Sequence, residues 1–126
     1  MNLLLAESNS TNAWIIREYF EALGHQVDVA KNGIEVLKLF QRGYDAIILN
    51  VYLPRVHGLD VARIIRRKET KKNVLLGIST WGASLKRACI NAGFNNVYHK
   101  TDLLEGTKHV RKTLHDSGSS SLPGGM

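Results

Sequence analysis

The amino-acid sequence predicts an α/β fold, a single domain with a doubly wound five-stranded parallel sheet and helices on both faces. Three observations carry that prediction. Strand-like and helix-like segments alternate five times along the 126 residues. One of the strand-like segments, Ala46-Ile47-Ile48-Leu49, is a continuous apolar run, as a strand covered on both faces requires. Each strand is followed by a helical pattern, and strand–helix–strand connections of this kind cross over right-handedly into parallel sheets. A domain of this size buries roughly two-thirds of its unfolded surface and folds without disulfide staples.

The elements follow in order. Residues 3–6 read as a short buried strand, and Ser8-Asn9-Ser10-Thr11-Asn12 supplies residues suited to a helix N-cap. Ile15, Ile16, Tyr19, Phe20 and Leu23 then form one broad apolar helix face that stops at Gly24. Residues 27–30 alternate as a second strand at an edge, and Asn32-Gly33 reads as a turn. Ile34, Leu37 and Phe40, with Val36 nearby, predict a second helix that stops at Gly43. Residues 46–50 are the third strand, and residues 54–58 a loop. Leu59, Val61, Ala62, Ile64 and Ile65 begin a third helix that ends among the charges of residues 66–72. Residues 74–79 form the fourth strand, residues 85–92 a short helix closed by Gly93, and residues 96–99 the fifth strand. A last helix covers residues 103–114 with Asp102 as its N-cap, and residues 117–126 are a flexible Gly/Ser tail or linker.

Composition narrows the classes of function. The lone Cys89 cannot form an internal disulfide and sits in a helical pattern among Ala88, Ile90 and Ala92. It reads as a buried inert thiol, and a reduced, cytoplasmic compartment is expected. The four apolar residues 3–6 are too few for a signal-peptide core, and no segment approaches the length of a membrane span. The net charge of +6 admits nucleic acid, an anionic membrane or an acidic protein as a partner.

In parallel sheets of this type the working site lies beyond the carboxyl ends of the strands. Five residues arrive there: Glu7 and Ser8 from the first strand, Asn50 from the third, Ser79 from the fourth and Lys100 from the fifth. Asn50 is the most informative. An aspartate delivered by a buried strand could attack a phosphoryl group, whereas a neutral carboxamide is a poor nucleophile. No catalytic residue and no enzymatic activity are assigned.

With those residues in place the chain resembles the receiver domains of two-component response regulators, which implies a flavodoxin-like (βα)5 fold over residues 1–116. The carrying features are Leu3-Leu4-Leu5-Ala6-Glu7-Ser8, the run from Ala46 to Pro54, His57-Gly58-Leu59, Gly77-Ile78-Ser79, Ala92-Gly93-Phe94 and His99-Lys100. The resemblance implies a phosphoacceptor aspartate at position 50, an acidic pair at the end of the first strand that helps hold magnesium, and a hydroxyl and a lysine that contact phosphoryl oxygens. This chain departs from that pattern. Asn50 replaces the acceptor, and Glu7-Ser8 offers one carboxylate instead of two. Tight magnesium binding is therefore not expected, and no cofactor is assigned. Thr101 follows Lys100 where the family has proline, so a trans bond is expected. Val97 stands where the family carries an aromatic switch residue, and the neighbouring Tyr98 points to the other face of its strand.

The plainer roles are these. Lys100 pairs with Glu7 or bonds to Asn50, and Ser79 is a hydrogen-bonding strand end. Trp81 packs or covers the pocket, and Trp14 is partly exposed. His57 and His99 have no companions at zinc-ligand spacing. Arg63, Arg66, Arg67, Lys68, Lys71 and Lys72 form a solvated helix end, favoured by the helix dipole.

The expected function is that of a phosphorylation-independent receiver-like domain that signals by binding another protein. The family's partner face maps onto the fourth helix, fifth strand and last helix, where Lys86, Arg87, Tyr98, Lys108, Arg111 and Lys112 suit an acidic signalling protein or a homodimer contact. One alternative is an ordinary phosphorylated receiver carrying an engineered Asp-to-Asn block. Ser8, Val97 and Thr101 argue against it, because a designed block changes one site. A second alternative is a basic nucleic-acid-binding module, disfavoured because the basic stretches lack interleaved aromatics.

Overall fold

The computed structural model describes residues 1–80, 85–99 and 102. Trp81, Lys100, Thr101, Lys108, Arg111, Lys112, the last helix and the tail lie outside the described residues. Five parallel strands, β1 (Asn2–Ala6), β2 (Gln26–Ala30), β3 (Ala46–Asn50), β4 (Leu75–Ser79) and β5 (Asn96–His99), form one sheet in the order β2-β1-β3-β4-β5. The helices are α1 (Ser10–Ala22), α2 (Gly33–Leu39), α3 (Gly58–Lys68) and α4 (Lys86–Ala92), with a 3-10 turn at Phe40–Arg42. This is the flavodoxin-like α/β architecture that the sequence predicted, with β2 at an edge. Among the described residues no helix is long and apolar enough to cross a membrane.

The central strands are apolar on both faces because both are covered. Leu4, Ala6, Ile47, Leu49 and Leu75 pack with Val36, Phe40, Val61, Ala62, Ile65, Cys89 and Ala92 beneath α2, α3 and α4. The alternate residues Leu3, Leu5, Ile48, Leu76 and Ile78 pack with Ala13, Ile16 and Phe20 of α1. Each buried Leu or Ile contributes roughly 1.5–3 kcal/mol of transfer free energy, so these two layers dominate the stabilisation. Cys89 lies in the first layer, where burial pushes its thiol pKa up.

Two helix faces differ from the sequence expectation. In α1 the buried residues are Ala13, Ile16 and Phe20, while Ile15 and Leu23 are 39% and 38% exposed. The apolar stripe was wider than one helix can bury, and small Ala13 lets the backbone approach the sheet. In α2 Val36 faces the core, as does Phe40 in the 3-10 turn that follows, and Ile34 and Leu37 are half-buried. Gly33 at the head of α2 is closely seated: a Cβ there would stand 2.3 Å from the Val56 carbonyl oxygen. Asn32-Gly33 is accordingly a helix start and not a reverse turn. The Asn32 side chain accepts the Glu35 N–H at 2.9 Å, and Glu35 accepts the Lys31 N–H at 2.8 Å, close to a capping box.

Arg66, expected in a solvated basic stretch, turns inward instead. Its guanidinium donates to Glu69, to the carbonyls of Gly93 and Asn73, and to Asn95 Oδ1 at 2.7–3.1 Å. It thereby ties the end of α3 to the end of α4 and the entry to β4. Burial pushes the Glu69 carboxyl upward. Hydrogen bonds from Asn73 and the Arg66 charge outweigh that and hold it below its ordinary value. On the β2 edge the Tyr44 hydroxyl donates to Asp28 Oδ2 at 2.6 Å.

Candidate functional site

Ala6 pairs with Leu49 in the register, so the next residues along the two strands, Glu7 and Asn50, leave the carboxyl edge of the sheet side by side. Asn50 in turn pairs with Ile78, one residue before Ser79. Glu7, Asn50 and Ser79 are 2%, 8% and 1% exposed, and they are the buried polar side chains among the described residues. All three stand at one edge. Buried polar groups need partners, so their concentration there marks the site.

The geometry is defined by donors and acceptors. Asn50 Nδ2 donates to Glu7 Oε1 at 3.1 Å, and Asn50 Oδ1 accepts the backbone N–H of Tyr52 at 2.9 Å. The two bonds fix which way the carboxamide points, because only the nitrogen can donate to a carboxylate. The second carboxylate oxygen, Glu7 Oε2, accepts the backbone N–H of Asn9 at 3.0 Å. Asn9 then caps α1 by accepting the Asn12 N–H at 2.9 Å. Among the described residues the buried carboxylate accepts from an amide side chain and a backbone N–H, and no buried side-chain polar atom lacks a partner.

The loop after β3 is built around this edge. Gly58 sits against the β3 exit, where a Cβ would stand 2.6 Å from the Val51 carbonyl oxygen, and its N–H donates to that oxygen at 2.9 Å. His57 caps α3, its Nδ1 accepting the Leu59 N–H at 3.2 Å, and its ring meets Tyr52 edge-on at 5.3 Å. Sequence reasoning missed the His57 cap and the Asn50–Tyr52 bond. An Asn followed two residues on by a backbone donor is a recurrent local turn, and that signal could have found the Asn50–Tyr52 bond. For His57 no comparable signal exists, because histidine is not among the favoured N-cap residues.

Of the other predicted site residues, Ser8 is exposed and its side chain does not join the buried group. Lys100 lies outside the described residues. Lys86 and Arg87 are exposed on α4, while Lys108, Arg111 and Lys112 lie outside the described residues. Tyr98 is half-buried and packs on the α1 side of the sheet, where its hydroxyl accepts from Asn96 Nδ2 at 3.3 Å. Val97 packs on the opposite side, with α2, α3 and α4. The period-two alternation of β5 therefore directs Tyr98 away from the face that α4 covers. Trp14 is 63% exposed on α1.

Comparison with known proteins places this geometry in a family. The response regulator receiver domain matches residues 3–111. The aerobic respiration control sensor protein ArcB of Escherichia coli is 32% identical over 103 residues, covering 79% of this chain and 13% of that protein. Probable histidine kinase 1 of Oryza sativa is 37% identical over 111 residues, covering 87% of this chain and 10% of that protein. The chain therefore spans a small part of the length of these curated relatives. Among solved structures, the receiver domain of the Francisella response regulator 1452 superposes with a TM-score of 0.82 at 21% identity, covering 93% of this chain and 98% of that one. The complex of histidine kinase ThkA with response regulator TrrA matches with a TM-score of 0.76 at 25% identity, covering 90% and 97%.

Proposed function

Because the chain belongs to the response regulator receiver domain family, we propose that it acts as a receiver that takes no phosphoryl group and signals by binding another protein. The observation that carries this reading is the state of Asn50. It occupies the acceptor position, it is neutral, and both ends of its carboxamide are engaged, by Glu7 and by the Tyr52 N–H. Phosphoryl transfer to a receiver needs a carboxylate oxygen as nucleophile and a cation to neutralise the charge that develops. Asn50 offers no such oxygen.

Magnesium, which the family implies, does not suit this donor set. The cation prefers several oxygen ligands with carboxylate charge in octahedral array. Here one carboxylate remains, both of its oxygens already accept hydrogen bonds, and Ser8 is exposed. Among the described residues no three His, Cys, Asp or Glu side chains come together.

A signalling protein as partner has support from the relatives, which are sensor kinases, and from the ThkA–TrrA complex. The exposed cations Lys86 and Arg87 on α4 suit an acidic face, and charges of this kind govern association rate and choice of partner more than affinity. Incubation with a small phosphodonor and magnesium, read by intact mass, tests the proposal. The mass is expected to stay unchanged, and a stable phosphoryl adduct on a carboxylate overturns it.

A further inference from the structure

At the opposite edge of the sheet, the corner where α3 runs into β4 carries charge that its surroundings do not use. Between Arg63 and Lys72 the sequence holds one acidic residue, Glu69. That carboxylate is spent internally on Arg66 and Asn73. Arg67, Lys68, Lys71 and Lys72 are all exposed, and among the described residues none of the four joins an ion pair. Interaction with the C-terminal dipole of α3 accounts for cations in its last turn, Arg67 and Lys68. It does not account for Lys71 and Lys72, which lie beyond the helix. Four like charges within six residues repel one another, and a bound polyanion relieves that repulsion.

We infer that this corner is a docking surface for an acidic protein segment, one rich in Asp and Glu. Two other polyanions fit less well. Nucleic acid is disfavoured because residues 66–73 contain no aromatic side chain to stack on a base. The sequence also carries no helix-turn-helix or zinc-finger pattern that would set a helix in a groove. A membrane surface is disfavoured because lasting attachment takes an apolar anchor in addition to a basic patch. Among the described residues the exposed large apolar side chains, Met1, Trp14, Ile15, Leu23, Tyr52 and Ile90, lie outside this stretch. The eleven residues of α3 place the corner roughly 16 Å along the helix from the Asn50 edge. A segment bound there leaves the receiver site open, and the inference holds whether or not residue 50 accepts a phosphoryl group.

The test is fluorescence anisotropy of the whole chain with a labelled peptide of alternating Asp and Glu. Duplex DNA and phosphatidylserine vesicles serve as parallel probes. Binding is expected to weaken by at least about tenfold in the variant R67E/K68E/K71E/K72E, and similarly as salt rises from about 50 to about 200 mM. The variant K31E, an exposed cation at the carboxyl edge of the sheet away from the corner, is expected to bind the peptide within about threefold of the parent, since a distant exposed charge is largely screened. If the charge-reversed variant does not fold, R67Q/K68Q/K71Q/K72Q replaces it with the same expected loss. Peptide binding that survives the folded four-site variant, no peptide binding by the parent at low salt, or tighter binding of the DNA or the vesicles overturns the inference.

Discussion

Asn50 Nδ2 and Glu7 Oε1 lie 3.1 Å apart at the carboxyl edge of the sheet, a neutral amide donating to a buried carboxylate. In a receiver with an aspartate at position 50, the same positions would set two carboxylates against each other. A cation would then be needed to hold them. The amide removes the repulsion and supplies a donor in its place.

Asn50→Asp therefore reverses the logic of the pocket. Losing the donor to Glu7 and facing it with a like charge is expected to cost about 1–3 kcal/mol in metal-free buffer. Thermal melting with and without magnesium checks this. Asn50→Asp is expected to melt lower in EDTA and to recover with magnesium, while the parent melts at the same temperature in both. Equal response of the two proteins to magnesium would contradict the account.

The Arg66–Glu69 node predicts an acid limb of stability. The folded state holds the Glu69 carboxyl below its unfolded value, so the unfolded chain binds the proton first as pH falls. The stabilisation is fully present above the unfolded value, near 4.3, and is lost as pH drops through the lower folded value. Urea midpoints between about pH 6 and pH 3 check it. Glu69→Gln is expected to flatten that limb and to lower stability at neutral pH, because Arg66 then loses its charged partner.

At the β2 edge the Tyr44 phenol is pushed up to about 12, by burial first and then by its hydrogen bond to Asp28 and that residue's charge. Arg42 opposes the shift. The raised value favours the protonated phenol in the folded state. Its contribution is whole below the unfolded value near 10 and fades as pH rises through about 12. The difference in ultraviolet titration between the parent and Tyr44→Phe is expected to report that value. Asp28→Asn is expected to bring it down.

The sheet was legible because its signal is local. The apolar run Ala46 to Leu49 needs cover on both faces wherever it sits, and β3 and β5 begin and end where the sequence placed them. The convergence of Glu7, Asn50 and Ser79 followed from strand ends alone. What escaped depends on contacts between segments distant in sequence. Nothing near Gly33 announces that Val56 will lie against it, so the helix start read as a turn. Nothing near Arg66 announces Gly93 and Asn95, so an inward clamp read as one more solvated cation. Ile15 and Leu23 looked like core because a stripe shows which residues are apolar and not how wide the facing surface is.

The central claim is that this pocket no longer switches. Beryllofluoride with magnesium mimics the phosphoryl group only where a carboxylate oxygen can bind it. Amide spectra of the 15N-labelled chain, recorded while beryllofluoride and magnesium are added, test the claim most directly. The account predicts that the signals of Glu7, Asn50, Tyr52 and Ser79 stay where they are. A saturable shift of those signals that spreads into α4 and β5 would contradict it.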